Sequence, residues 1–226
     1  MPTLVLANKL YSSWSLRPWL LLKELGVRFD EIVIPLDTPT TKAEIRKHSP
    51  AGKVPILIDG EVTVWESIAI LEYAADAFGV PVWPQDRAAR AMARAVSAEM
   101  HAGFMALRSA CPMNLGKRFG PRDRGEAVAQ NVARFEEIVR DVRARFGQGG
   151  PFLFGAFSGA DAMFAPLVTR LDTYSIPVSA QTRSYMDAIL SLPSFQEWRA
   201  AALKEPWTIA DDEVDESPVE ILRQAR

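Results

Sequence analysis

The sequence predicts an α/β domain over residues 1–79 followed by an all-α domain over residues 87–205. A linker at 80–86 separates the two, and a tail occupies 206–226. Three observations lead there. Val54 to Ile58 is a short apolar run that ends at Asp59-Gly60, a two-residue hairpin signal, because both positions must tolerate positive φ. The β-branched run Val62-Thr63-Val64 follows, and Glu66-Ser67 then opens an apolar helix from Ile68 to Phe78. Gly79-Val80-Pro81-Val82-Trp83-Pro84 carries two prolines, and every later periodic segment has helical spacing.

Taken in order, Thr3 to Ala7 reads as a strand and Asn8 to Ser15 as a polar, aromatic loop. Leu16 to Leu25 reads as a helix with Pro18 in its first turn, where proline is tolerated, and Gly26 as its stop. Phe29 to Ile34 is a second strand, with Ile32 and Ile34 on one face, and Thr41 to His48 a short helix or irregular stretch. Pro55 cannot donate to a ladder, so it belongs at a strand's first position or on an edge. A cis Val54-Pro55 bond would turn the Val54 backbone groups outward.

In the second half, Met92, Val96, Met100 and Phe104 form one stripe, which predicts a single helix from Arg87 to Arg108. Val128, Val132, Phe135, Val139, Val142 and Phe146 mark a second, with Glu136–Arg140 and Asp141–Arg145 pairs on its wet face. Ser158 and Asp161 form a capping box for a helix over Met163 to Leu171. Tyr185 to Leu190 and Phe195 to Leu203 are two more. Asp211 to Glu216 reads as an acidic tail, solvated or draped over the surface.

Composition narrows the function. Lys and Arg total 26 against 28 Asp and Glu, a net charge of −2, so no basic surplus suggests nucleic acid or an anionic membrane. The N-terminal residues lack the charged and apolar regions of a signal peptide, and a cytoplasmic location is expected. One cysteine, Cys111, and two histidines give no metal-ligand spacing, so no metal is expected.

The stretch from Lys53 to Ser67 offers backbone pairing at Val54, helix N–H groups at Glu66-Ser67 for a carboxylate, and the Glu66 carboxylate for an ammonium. An amino-acid-like ligand with an extended amide fits that set. Val54-Pro55, the hairpin, and Glu66-Ser67-Ile68-Ala69-Ile70-Leu71-Glu72-Tyr73 together resemble the glutathione-binding half of the cytosolic glutathione transferases. The resemblance implies a thioredoxin-like domain followed by a helical one, glutathione as co-substrate, and a homodimer. It also implies roles: Val54 and Pro55 for the cysteinyl backbone, Glu66 and Ser67 for the γ-glutamyl end, Lys53 and Lys42 for the glycyl carboxylate.

A thiol with a pKa near ~8.5 is mostly protonated at neutral pH and needs a donor to hold it as thiolate. Tyr11-Ser12-Ser13-Trp14-Ser15-Leu16-Arg17 resembles the serine-type classes, most closely the Ser-Ser-Cys-Ser-x-Arg run of the zeta class. By that match Ser12 is the first candidate donor and Ser13 the second, with Tyr11 a rival. Ser15 reads as a cap, and Arg17 as a structural or interface charge. Trp14 stands where zeta members carry cysteine, which counts against the zeta isomerisation of maleylacetoacetate. Trp14, Met100, Phe104, Arg108 and Leu115 are the candidate electrophile pocket, and His101 a neighbour with ordinary packing as its expected role. The expected activity is transfer of glutathione to an electrophilic small molecule. An isomerase or dehalogenase that regenerates glutathione, and a non-catalytic carrier or regulator, are the alternatives.

Overall fold

The computed structural model describes residues 1–223, so the last three residues of the tail lie outside it. The first half is a four-stranded sheet in the order β2-β1-β3-β4. Strand β1 (Thr3–Leu6) pairs parallel with β2 (Asp30–Val33) and antiparallel with β3 (Ile56–Asp59). Strand β4 (Val62–Trp65) closes the Asp59-Gly60 hairpin on β3. The parallel pair needs a crossover, supplied by α1 (Ser13–Glu24). Helices α2 (Thr41–Arg46) and α3 (Ser67–Ala77) complete the thioredoxin-like order. The Val54–Pro55 bond is cis, and the ladder begins one residue later, at Ile56.

Several boundaries differ from the sequence reading. Helix α1 starts at Ser13, three residues early, because Ser12 rather than Ser15 is its N-cap. Pro18 therefore sits in the second turn, where it deprives the Trp14 carbonyl of its i+4 donor. Burial of Leu16, Trp19, Leu20, Leu21 and Leu22 offsets that loss. Ile32 is exposed, whereas Ile34 lies just past β2 and packs with Val5, Ile45 and Ile56.

The second half holds α4 (Arg87–Ala102), α5 (Met105–Ala110), α6 (Glu126–Phe146), α7 (Gly159–Thr173), α8 (Ala180–Leu190) and α9 (Pro193–Ala202). The single helix expected from Arg87 to Arg108 is broken. Gly103 is extended and Phe104 takes a left-handed φ of 61°, so the Met92-to-Phe104 stripe is split between two axes. A Cβ at Gly103 would meet the Glu99 carbonyl oxygen at 2.8 Å, so the bend requires glycine there. The domain is also not wholly helical. A two-stranded ribbon pairs β5 (Lys117–Arg118) with β6 (Glu220–Ile221), bringing the tail back across the molecule. The acidic segment is draped: Glu213 accepts from Tyr11, Asn114 and Lys117, and Glu216 pairs with Arg124.

Helix α7 is the centre of the helical half, buried from Gly159 to Leu171, and it begins four residues earlier than expected. Its capping box is present. Asp161 accepts hydrogen bonds from the Ser158 amide (2.9 Å), the Ser158 hydroxyl (2.9 Å), the Leu153 amide (3.0 Å) and the Tyr185 hydroxyl (3.2 Å). Gly159 lies under Trp83, and its amide donates to the Val82 carbonyl at 2.7 Å, which docks the inter-domain connection on α7.

Burial raises the Asp161 carboxyl to about 6, although its hydrogen bonds pull the other way. The ordinary unfolded value is about 3.9. The native state therefore holds this proton more tightly, and the stability it contributes is full below about pH 4 and lost as pH rises through about 6. Asp161→Ala should destabilise the fold by about 3 kcal/mol at pH 4.5, by stranding two buried amides, and by less at pH 7. Urea unfolding at both pH values checks this; an equal loss at both would contradict it.

Candidate functional site

An open cleft of about 560 Å³ is lined by Trp14, Lys53, Val54, Pro55, Trp65, Glu66 and Ser67. Three local features build it. The turn before β3 brings Lys53, Val54 and Pro55 to one wall. Glu66, at the junction of β4 and α3, has φ 68° and ψ 125°, a backbone conformation that costs a non-glycine residue energy. That turn aims the α3 N-terminus at the cleft, with Ser67 as its first residue. Unpaired N–H groups and the helix dipole there favour a carboxylate. Trp14, in the first turn of α1, also lines the cleft.

The structure thus brings together Lys53, Val54, Pro55, Glu66, Ser67 and Trp14. It adds Trp65, which sequence reasoning missed; the only signal was its adjacency to Glu66. Lys42 is exposed on α2 and is not part of the cleft lining. Met100 is fully buried, and Phe104 is buried edge-on to Phe164 at 6.1 Å. Leu115 faces a different depression, with Lys117 and Arg118. Arg108 does approach: its guanidinium carbon lies 4.5 Å from the Trp14 ring centroid. The Ser67 hydroxyl is turned inward, 4.0 Å from the Met163 sulfur, which leaves the backbone of Ser67 as its face to the cleft.

At the N-terminus of α1, Ser12 and Ser13 are each 7% exposed. The Ser12 hydroxyl accepts from the Ser15 amide at 3.4 Å and donates to the Ser15 hydroxyl at 2.8 Å. Ser15 is wholly buried, and its oxygen also accepts from the Ala7 amide at 3.1 Å. It is an interior anchor rather than the expected cap. Tyr11 turns away: its hydroxyl donates to Glu213 at 2.6 Å, and burial with that carboxylate pushes its pKa up. That hydroxyl is committed to Glu213 rather than turned to the cleft lining. Cys111 is buried, and burial raises its thiol to about 11, so it is inert.

His101 belongs to the site's surroundings. Its ring meets Trp14 edge-on at 5.1 Å, and its Nε2 is 3.6 Å from the Glu66 carboxylate. Burial, then Arg17 and Arg108, push its pKa down, while Glu66 pushes it up. The balance favours the neutral imidazole. An NMR titration should place its midpoint below that of a free histidine. Glu66→Gln should lower that midpoint further and Arg108→Gln should raise it; the opposite signs would show that these groups do not face the ring. Among the described residues no group of three or more His, Cys, Asp or Glu could hold a metal ion, and no helix is long and apolar enough to cross a membrane.

This geometry can be set beside known proteins. A family model for the glutathione S-transferase N-terminal domain matches residues 11–77, and one for the glutathione S-transferase C-terminal domain matches residues 125–201. A probable maleylacetoacetate isomerase of Caenorhabditis elegans is 27% identical over 173 residues, 74% of this chain and 77% of that one. A dichloromethane dehalogenase of Methylorubrum extorquens is 49% identical over 57 residues, 24% of this chain; the chain spans only 20% of that relative's length. A glutathione transferase homolog from Burkholderia, crystallised with bound glutathione, superimposes with a TM-score of 0.68 at 25% identity, over 89% of this chain and 97% of that one. The two domain models together span more than half of the sequence and agree with the observed sheet and helical order: the chain belongs to the glutathione S-transferase family.

Proposed function

We propose that the protein is a glutathione transferase that holds glutathione as thiolate for attack on an electrophilic small molecule. The observation that carries this is the single cleft formed by Lys53, Val54, Pro55, Glu66 and Ser67 together with Trp14 at the start of α1. In this reading the Val54 backbone pairs with the cysteinyl amide. The α3 N-terminus at Ser67 takes the γ-glutamyl carboxylate, Glu66 its ammonium, and Lys53 the glycyl carboxylate. Lys42 supports the glycyl end only as a distant charge.

Ser12 is the thiolate donor in this reading, and its link to Ser15 sets how it works. With no thiolate present, the Ser12 proton rests on Ser15. The Ser15 hydroxyl has a proton of its own, so the pair can reverse: Ser15 donates to Ser12, and Ser12 donates to sulfur. The Ala7 amide holds Ser15 in place throughout. Ser15 is thus a positioning residue. Ser13, one residue into the helix, is the alternative donor. The α1 N-terminal dipole favours the thiolate at either position. A homodimer and a cytoplasmic location go with this reading, by analogy with the family.

Calorimetric titration of glutathione, with conjugation of a neutral aryl halide in parallel, tests it. Wild type should bind and turn over. Ser12→Ala should bind but lose roughly a hundredfold in kcat, the usual cost of removing one anion-stabilising donor. Ser15→Ala should raise the pH at which bound thiolate absorbance appears, and Ser13→Ala should do less of both. If Ser13→Ala is the larger loss, the donor is Ser13. If glutathione fails to bind wild type, the assignment is wrong. The Caenorhabditis relative is named as an isomerase and the Methylorubrum one as a dehalogenase. Both alternatives predict turnover without net loss of glutathione, and measuring residual free thiol separates them from transfer.

A further inference from the structure

The helical domain reaches the candidate site through one contact, from His101 to Glu66. His101 stands in the last turn of α4, and Glu66 at the junction of β4 and α3. The imidazole Nε2 lies 3.6 Å from the Glu66 carboxylate, and among the described residues no other basic group is paired with Glu66. That carboxylate is half exposed and lines the cleft, whereas the imidazole is not part of the lining. The His101 Nδ1 is buried and has no hydrogen-bond partner among the described residues. Trp14 meets the ring edge-on at 5.1 Å.

These surroundings select one form of the ring. A neutral imidazole carries one N–H and one lone pair. With the proton on Nδ1, a buried donor would go unpaired and the Nε2 lone pair would face a carboxylate. With the proton on Nε2, the N–H faces Glu66 and the lone pair is the group left buried. The 3.6 Å contact is too long for a hydrogen bond, so it orients the carboxylate without neutralising it. A second proton would go onto buried Nδ1 and set a full positive charge beside Glu66. The charged groups that act on the ring are Arg17 from α1, Arg108 from α5 and Glu66 itself. The two guanidiniums oppose the second proton and Glu66 favours it. Arg17 and Arg108 thereby help to keep the charge of Glu66 uncancelled.

We propose that His101 is a positioning residue for Glu66 and gates it by protonation. As a neutral ring it leaves the carboxylate's charge to the ligand's ammonium; as a cation it takes that charge itself. This rests on the glutathione-transferase reading, in which Glu66 holds the γ-glutamyl ammonium, and adds the regulation of that site. The sign follows from linkage. An ammonium on Glu66 makes a second cation at His101 less favourable, so the bound ligand lowers the imidazole midpoint. By reciprocity, ligand affinity falls as pH drops through the midpoint of the free protein.

The test is calorimetric titration of S-methylglutathione, whose sulfur cannot ionise, into the full chain at pH values across the His101 midpoint read by NMR. Should the methyl group block binding, glutathione with the Ser12→Ala variant takes its place. For wild type, Kd should rise about twofold or more from one pH unit above that midpoint to one below, the worth of one half-exposed ion pair. Saturating ligand should lower the imidazole midpoint by about half a pH unit. His101→Gln keeps an N–H donor and takes no second proton, so its Kd should stay flat across the range. His101→Ala should also be flat, and should bind more weakly than His101→Gln above the midpoint. Arg108→Gln should carry the wild-type rise to higher pH. A wild-type Kd independent of pH, a rise that persists in His101→Gln, or an imidazole midpoint unmoved by ligand overturns the gate and leaves the transferase reading standing. Should His101→Gln fail to fold by circular dichroism, the ligand-induced shift of the wild-type midpoint decides. If neither peptide binds at any pH, the transferase reading falls and this inference with it.

Discussion

The packing of α1 against α7 is the contact on which the site depends. The cleft is lined by the turn before β3, by the start of α3 and by Trp14 in the first turn of α1. What faces that first turn from the other domain is set by how α7 seats α1. Asp161 fixes the start of α7 through four hydrogen bonds, two of them to buried backbone amides that nothing else could satisfy as well. Trp19 on α1 meets Trp198 on α9 edge-on at 5.1 Å, and the Trp198 indole donates to the Lys9 carbonyl at 2.9 Å. The Glu205 carboxylate accepts from the Lys9 and Leu10 amides. The loop that delivers Ser12 is thus held largely by groups more than 180 residues away in sequence.

This explains what could be read in advance. The strand, hairpin and helix at 54–78 were legible because they are local: two β-branched runs, a turn that needs positive φ, and an apolar period. The same holds for the capping box at Ser158. The residues that line the cleft from that stretch were legible for the same reason, through the motif that carries the family resemblance. The break at Gly103-Phe104 was not. A glycine within a helical stripe is tolerated as often as it breaks one, and here the decision is tertiary, since Phe104 must turn in against Phe164. Pairing of Lys117-Arg118 with Glu220-Ile221 spans about a hundred residues and leaves no local trace. Ser12 read as the candidate thiolate donor and Ser15 as the cap; in the structure Ser12 is the N-cap, and the Ala7 amide, brought over by the first strand, holds Ser15 in the interior.

The residues expected on the electrophile side divide: Trp14 lines the cleft, and others do not. Met100 and Leu115 were chosen by helical spacing and position, and both turned out to be buried away from the cleft lining. Periodicity identifies what is buried, and a stripe of Met and Phe is core before it is anything else. The informative departures were the polar ones. Arg17 read as an interface charge, yet the fold buries it without a carboxylate partner. His101 read as ordinary packing, yet its ring bridges Trp14 and Glu66.

The helix break and the Arg108 charge are connected. Had α4 run unbroken to Arg108, seven residues past His101, the guanidinium would have started about 10 Å further along the axis. Because the chain turns at Gly103 and Phe104, Arg108 folds back toward the end of α4, reaches the carbonyls of His101 and Gly103, and comes to lie over Trp14. The left-handed Phe104 costs energy on its own. The bend it permits brings two guanidinium groups and an imidazole, from both domains, around one indole.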